Sequence, residues 1–331
     1  MMDEMTFDLR SARRVFSRIG FSLTAILVVG TVLQLLLLLG IPAVLGPENP
    51  VTGKAWYFWL VTFVPLYLAA IPTGLAMMRR LPAEAPPEQK LGFGNGLSCF
   101  LISIFVMYTG NLIGTMLSLA LSGGTAVNAV AEQAMENQPL KVLFMVVLAP
   151  ILEELVCRKQ LLDRTRCYGE KTAAVVSALT FGLLHHNFYQ FFYAFGLGLI
   201  FAYIYLRTGR LRYSVILNAV INFMGSVLAP WMLKLSDSEA LADLDLNLPT
   251  EELMGIYVKN LPGMLIFLGY SMLLFGLFIA GLVLFIIKCR NLHWAEGEMQ
   301  LPRGTVLRTV CSGGMVVYVL LCLVMMVLSL L

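Results

Sequence analysis

A chain that repeatedly runs for about twenty residues without a charge has few folds open to it. The stretch "IGFSLTAILVVGTVLQLLLLLGIPAVLG" carries no ionisable side chain from Ile19 to Gly46. Lipid offers no partner to backbone N–H and C=O groups, so a segment that crosses it must satisfy them internally. Several runs of this kind follow, and hydrophobic residues make up 59% of the 331-residue chain against 13% charged. Soluble domains are about 45–50% apolar and about 25% charged. The expected fold class is an all-α polytopic membrane protein, a bundle of about eight to nine transmembrane helices.

Spans are predicted near 19–41, 56–78, 97–121, 141–166, 171–187, 189–206, 213–233, 262–287 and 309–331. The first is preceded by Arg10, Arg13, Arg14 and Arg18, and its apolar core is too long for a cleaved signal peptide, so it reads as a retained span. Lys and Arg favour cytoplasmic loops. With the N-terminus inside, the inner ends receive the tail arginines, Arg79 to Lys90, Arg158 to Lys171, Arg207 to Arg212 and Lys288 to Arg308. Only Lys54, Lys141, Lys234 and Lys259 of the 23 basic residues fall outside. The expectation is a multi-pass protein of a bacterial cell membrane with a cytoplasmic N-terminus.

The organisation read from this pattern is a tail over 1–18, N-terminal spans over 19–139, a core over 140–230, and an acidic outer loop with C-terminal spans over 231–331. The loop "SDSEALADLDLNLPTEEL" lacks calcium-loop spacing and reads as a solvated surface. Gly110 and Gly114 form a small-xxx-small pair suited to close helix packing. The six cysteines form no CxxC pattern, which argues against a disulfide framework or a cysteine zinc site. No basic run interleaved with aromatics points to nucleic acid. The bilayer is the one partner composition demands.

Ionisable groups at membrane depth are costly and mark function. They gather in three places. In "VLAPILEELVCRKQLLDR", Glu154 and Arg158 are i,i+4 with the acid first, the favourable order for an ion pair. Glu153 points about 100° away with no local partner, as a general base for water would. In "TFGLLHHNFYQFF", Phe181 and His185 share a face, while His186 diverges unless a helix ends at "HHNFYQ". In "YSVILNAVINF", Asn218 and Asn222 stack at i,i+4 and need partners inside the bundle. Gly169, in the polar break "RCYGEK", lies midway between Glu153 and His185. A hairpin turning there sets both at the same depth, about 24 Å up each helix. Asn218 approaches the same level from a third helix. Packing glue between helices remains the other reading of such residues.

The order and spacing of "EELVCR", "FGLLH" and "NAVIN" resemble the EExxxR, FxxxH and HxxxN blocks of the CPBP intramembrane proteases, also called the Abi or type II CAAX prenyl endopeptidase family. The resemblance covers roughly residues 140–230. It implies an endopeptidase with Glu153 as the base that activates water, His185 as a partner for water or metal, and Asn222 stabilising the oxyanion. Glu154 and Arg158 would hold the site electrostatically, and Phe181, His186 and Asn218 would line the cavity. It also implies zinc, for which Glu153 and His185 are the ligands on offer, and a peptide or membrane-protein substrate. One departure stands out: the family's second His is Asn218 here, and an amide is a poor zinc ligand. Two further readings stay open. A catalytically impaired relative would bind a peptide or partner in the same cavity, in bacteriocin immunity or signalling. A proton-coupled transporter is the third, although the chain shows no inverted repeat.

Overall fold

The computed structural model describes residues 9–46, 49–52, 54–128, 139–236, 249–302 and 304–330. Among them the regular structure is helical. In chain order the helices are α1 (Leu9–Leu45), α2 (Trp56–Met78), α3 (Phe93–Leu121), α4 (a run from Pro139–Lys141 to Leu161–Thr165), α5 (Glu170–Leu183), α6 (Phe188–Thr208), α7 (Leu211–Leu235), α8 (Thr250–Cys289), α9 (Val306–Val310) and α10 (Gly313–Leu328). Six of them, α1, α2, α3, α6, α7 and α8, are long and apolar enough to cross a membrane. With 14 and 16 residues, α5 and α10 fall short of a crossing. All nine predicted spans have a helix at their place. The acidic stretch 237–248, part of the expected outer loop, lies outside the described residues.

Four π turns occur among the described residues, and prolines account for three. Leu66–Ala70, Val142–Leu148 and Met224–Leu228 each run up to an α segment with proline in its first turn: Pro72, Pro150 and Pro230. A proline ring clashes with the carbonyl four residues back and offers it no N–H, and a widened turn relieves both problems. The fourth π turn, Leu155–Gln160, has no proline after it and carries Arg158. Its cause is tertiary.

Helix α6 sits at the centre, packed on α3 along one flank and α5 along another. The glycine pair of α3 explains the first contact. A Cβ on Gly110 would lie 2.5 Å from the Cα of Tyr193, and one on Gly114 would run into the carbonyl oxygen of Phe188. Hydrogen at these positions lets the two backbones touch, as the small-residue spacing suggests. On the far side α10 packs on α1 through Gly20 and Gly314, and Gly314 N–H donates to Ser17 Oγ at 3.1 Å.

Arg166, Arg207 and Arg210 gather at one end of the bundle, where loops are tied down. Gly169, at φ +111°, turns the chain from α4 into α5. The proline-rich linker runs across this end, with Glu84 N–H donating to Asp163 O at 2.7 Å and Gln89 N–H to Thr208 O at 2.8 Å. Arg166 pairs with Glu84 and Arg210 with Glu88, both at 3.2 Å. Arg207 pairs with Glu170, whose carboxylate also accepts from the Ala295 N–H. The α4–α5 turn is thus held from both sides.

Candidate active site

The site begins with a question of charge. Glu154 and Arg158 are both fully buried, and Arg158 Nη2 stands 3.0 Å from Glu154 Oε1. Uncompensated charges would be prohibitive at this depth, so each must be paired and hydrogen-bonded. Arg158 finds four neighbours. Beyond Glu154, its Nη1 donates to Ser177 Oγ at 3.3 Å, and its guanidinium carbon lies 4.7 Å from the ring centre of Phe181 and 5.4 Å from that of Phe201. Ser177 in turn donates to the carbonyl of Cys157 at 2.7 Å, inside the π turn that lacks a proline. A hydroxyl from α5 therefore serves both the cation and the widened backbone that presents it.

Glu153 is in a different state from its neighbour. It is partly exposed and has no ion pair among the described residues. Its Oε2 accepts from Asn218 Nδ2 at 3.0 Å, and the same nitrogen lies 3.4 Å from Glu154 Oε1. Asn218 is buried on α7 and bridges the two carboxylates. Adjacent acids on one helix are thereby separated in role: one is neutralised by arginine, the other held only by an amide. Glu153 is also within electrostatic reach of the phenols of Tyr67 and Tyr193.

Phe181 links this group to the imidazole. Its ring covers Arg158, and its carbonyl accepts from His185 Nδ1 at 2.9 Å. That bond makes Nδ1 the donor and leaves Nε2 free to accept. The His185 ring meets Phe181 edge-on at 5.2 Å and lies 6.4 Å from the ring of Tyr193. Helix α5 ends at Leu183, four residues before the expected end at 187. His186 adopts φ +54°, and Asn187 caps α6 by accepting from the Gln190 N–H at 2.9 Å. The two histidines therefore sit at a helix end and are not both on one helix. His186 Nε2 is buried and takes no hydrogen bond from the described residues.

Asn222 is occupied elsewhere. Its Nδ2 donates to the carbonyl of Met145 at 2.9 Å, in the π turn ahead of Pro150. A side chain from α7 satisfies a backbone group on α4, as an interior without water requires. One N–H of the amide remains for any other partner.

Tyr193 was not singled out from the sequence. Its hydroxyl accepts from Gln190 Nε2 at 2.8 Å, which leaves its own proton to donate. It faces His185 and lies opposite Gly110 of α3. The one signal available was that glycine pair, which marks where α6 presses closest to its neighbour.

The implied zinc does not fit these residues. Among the described residues no three His, Cys, Asp or Glu side chains are grouped so as to hold a metal ion. Glu153 and His185 would supply two donors, and catalytic zinc takes about three from the protein.

Three comparisons bear on this site. Residues 135–224 match the family model of the Rce1-like proteins, type II CAAX prenyl endopeptidases. The membrane-embedded CAAX protease MroQ of Staphylococcus aureus (strain USA300) is 25% identical over 202 residues, which is 57% of this chain and 80% of that protein. No solved structure matches. The matched segment holds Glu153, Glu154, Arg158, Phe181, His185, Asn218 and Asn222 together, and it is over this segment that the chain is similar to the type II CAAX prenyl endopeptidases.

Proposed function

We propose that the chain is an intramembrane endopeptidase in which Glu153 activates water for attack on a peptide carbonyl. The observation that carries the reading is the unequal treatment of the two glutamates. Arg158 neutralises Glu154, while Asn218 only orients Glu153. A partly exposed carboxylate beside a buried ion pair is free to take a proton, which its neighbour is not.

Glu153 takes a proton from water as the hydroxide adds to the carbonyl carbon. His185 Nε2 is the acceptor available to the water, and the carbonyl oxygen becomes an oxyanion, for which the remaining N–H of Asn222 and the Tyr193 hydroxyl are the available donors. The C–N bond then breaks, and the amine leaves with the proton that Glu153 held. One water is consumed, and one carboxylate and one protonated amine result, the second proton coming from the added hydroxyl. Phe181 keeps His185 in the tautomer with Nε2 free. No step uses a metal. The substrate is a membrane-associated peptide segment, in keeping with the CAAX protease relative. The protein sits in a bacterial cell membrane with its basic end in the cytoplasm, where Lys and Arg favour retention.

Cleavage of a membrane peptide substrate by the full chain in proteoliposomes tests this. Glu153→Gln keeps the Asn218 contact geometry and should lose about 10²–10⁴-fold in rate, the usual contribution of a general base. Equal cleavage by parent and variant removes Glu153 from the chemistry. A second reading is favoured by Asn218 itself, which stands where the family has a histidine: the chain binds a peptide or partner without cutting it. Under that reading the parent is inert and Asn218→His gains activity.

A further inference from the structure

A cavity lies away from the carboxylates, across α6. It measures about 890 Å³, within the usual range for ligand sites, and its walls come from α3, α6, α8 and the segments that enter and leave them. On α6 the residues lining it are Gly196, Leu199, Ile200, Tyr203, Ile204 and Arg207, whereas Phe201, on another face, reaches Arg158. The helix separates this cavity from the buried Glu154–Arg158 pair.

The cavity is polarised along its length. Its mouth, at the basic end, holds Lys90, Asn95 and Lys288, and its deep part holds Ile102, Val106 and Leu199. From Asn95 to Val106 along α3 is about 16 Å, close to half of a hydrocarbon core of about 30 Å. Phe285 and Ile287 on its α8 side are exposed, so the cavity opens sideways to lipid. Its charge has one sign. Lys90, Arg207 and Lys288 line it and no Asp or Glu does. Arg207 is engaged by Glu170. Lys288 donates to the amide oxygen of Asn95 at 3.3 Å, and among the described residues neither it nor Lys90 has a carboxylate partner.

We propose that this cavity binds an anionic phospholipid, with the phosphate between Lys90 and Lys288 and one acyl chain lying along Ile102, Val106 and Leu199. Basic pockets between transmembrane helices at the headgroup level favour such lipids, and the apolar depth matches one leaflet. A zwitterionic lipid gains the apolar contact without the two uncompensated lysines. The site is independent of the proteolytic reading, since none of its residues touches Glu153 or His185 in the contacts described above.

Native mass spectrometry of the purified full chain, titrated with phosphatidylglycerol and with phosphatidylcholine, tests the assignment. The parent should hold one phosphatidylglycerol in preference to phosphatidylcholine. Lys90→Gln/Lys288→Gln should weaken that binding roughly thirtyfold, two lysines' worth at a membrane surface, and leave phosphatidylcholine unaffected. Lys54→Gln/Lys259→Gln, at the other end, should change neither. A thermal melt of each variant confirms that it is folded. Ile200→Trp, which fills the cavity, should displace the lipid in the folded protein. Equal affinity for the two lipids, or full retention by the Lys90/Lys288 variant, overturns the proposal. So does complete displacement of the lipid by inorganic phosphate, which would make the pocket a free-anion site.

Discussion

Helix α8 and helix α6 are both apolar, and they are apolar for different reasons. In α8, the most apolar span, 6% of the most apolar window is buried; in α6, the least apolar of the six, 50% is buried. In a soluble protein the order would be reversed. In a bilayer the solvent is itself oily, so hydrophobicity marks the helix that faces lipid, and the interior is free to be polar. The α6 side carries Tyr193, Gln190 and Tyr205 and packs on α5, whose C-terminal end leads into His185, while α8 offers lipid a row of exposed Leu, Ile and Phe. The chemistry is placed where the apolar signal is weakest.

The sharpest way to break this contrast is to leave a charge alone in the interior. Arg158→Met keeps most of the volume but strands Glu154 at full burial, and it removes the cation between Phe181 and Phe201. Losing one partner of a buried pair costs about 3–5 kcal/mol. Chemical denaturation in detergent should show a loss of that size. Arg158→Lys should recover only part of it, because a lysine cannot serve Glu154 and Ser177 while stacking between two rings. A loss below about 1 kcal/mol for Arg158→Met would mean that Arg158, through Ser177 and Phe181, is not what holds α4 to α5.

How much of this was readable in advance follows from distance along the chain. The spans are charge-free runs, and the Glu154–Arg158 pair is a local i,i+4 contact, so both were visible. The partnership of Asn218 with Glu153 spans 65 residues, and that of Arg158 with Ser177 spans 19, so spacing on one helix could not reveal either. The helix end near "HHNFYQ" was open but unmarked, because "HHN" contains no Gly or Pro; His186 makes the turn in the left-handed region, uncommon outside Gly. The depth counted from Gly169 to Glu153 at a uniform rise ignored the π turn at Leu155–Gln160, whose wider geometry shortens the climb. No proline follows that turn to give warning of it.

A smaller effect is expected where the interior helix meets its neighbour through backbone alone. Gly114→Leu puts a side chain against the carbonyl of Phe188, which no rotamer can avoid. Overpacking of this kind costs about 1–3 kcal/mol. Because α3 supports α6 beside Tyr193, the variant should also cut proteolysis more than its stability loss explains, when rates are compared at a temperature where both proteins are fully folded. Gly269→Leu on α8, where a Cβ meets nothing within 4 Å, is the matched control and should be silent in both assays. If the two glycine variants behave alike, the close approach of α3 to α6 carries no weight.

The smallest effect should come from the lipid-facing helix itself. Leu268 on α8 is 54% exposed. Leu268→Ala removes apolar surface that lies against acyl chains both before and after unfolding within the membrane, so no transfer from water is lost. The expected change is within about 0.5 kcal/mol, against about 2–5 kcal/mol for the same truncation in a packed core. Leu197→Ala on α6, where the side chain is almost fully buried, supplies that second value in the same protein. Measured side by side in one detergent, the two leucines separate packing from hydrophobicity. Equal losses would mean that α8 is covered by something other than lipid, and the reversed polarity of the bundle would then have to be redrawn with that surface inside.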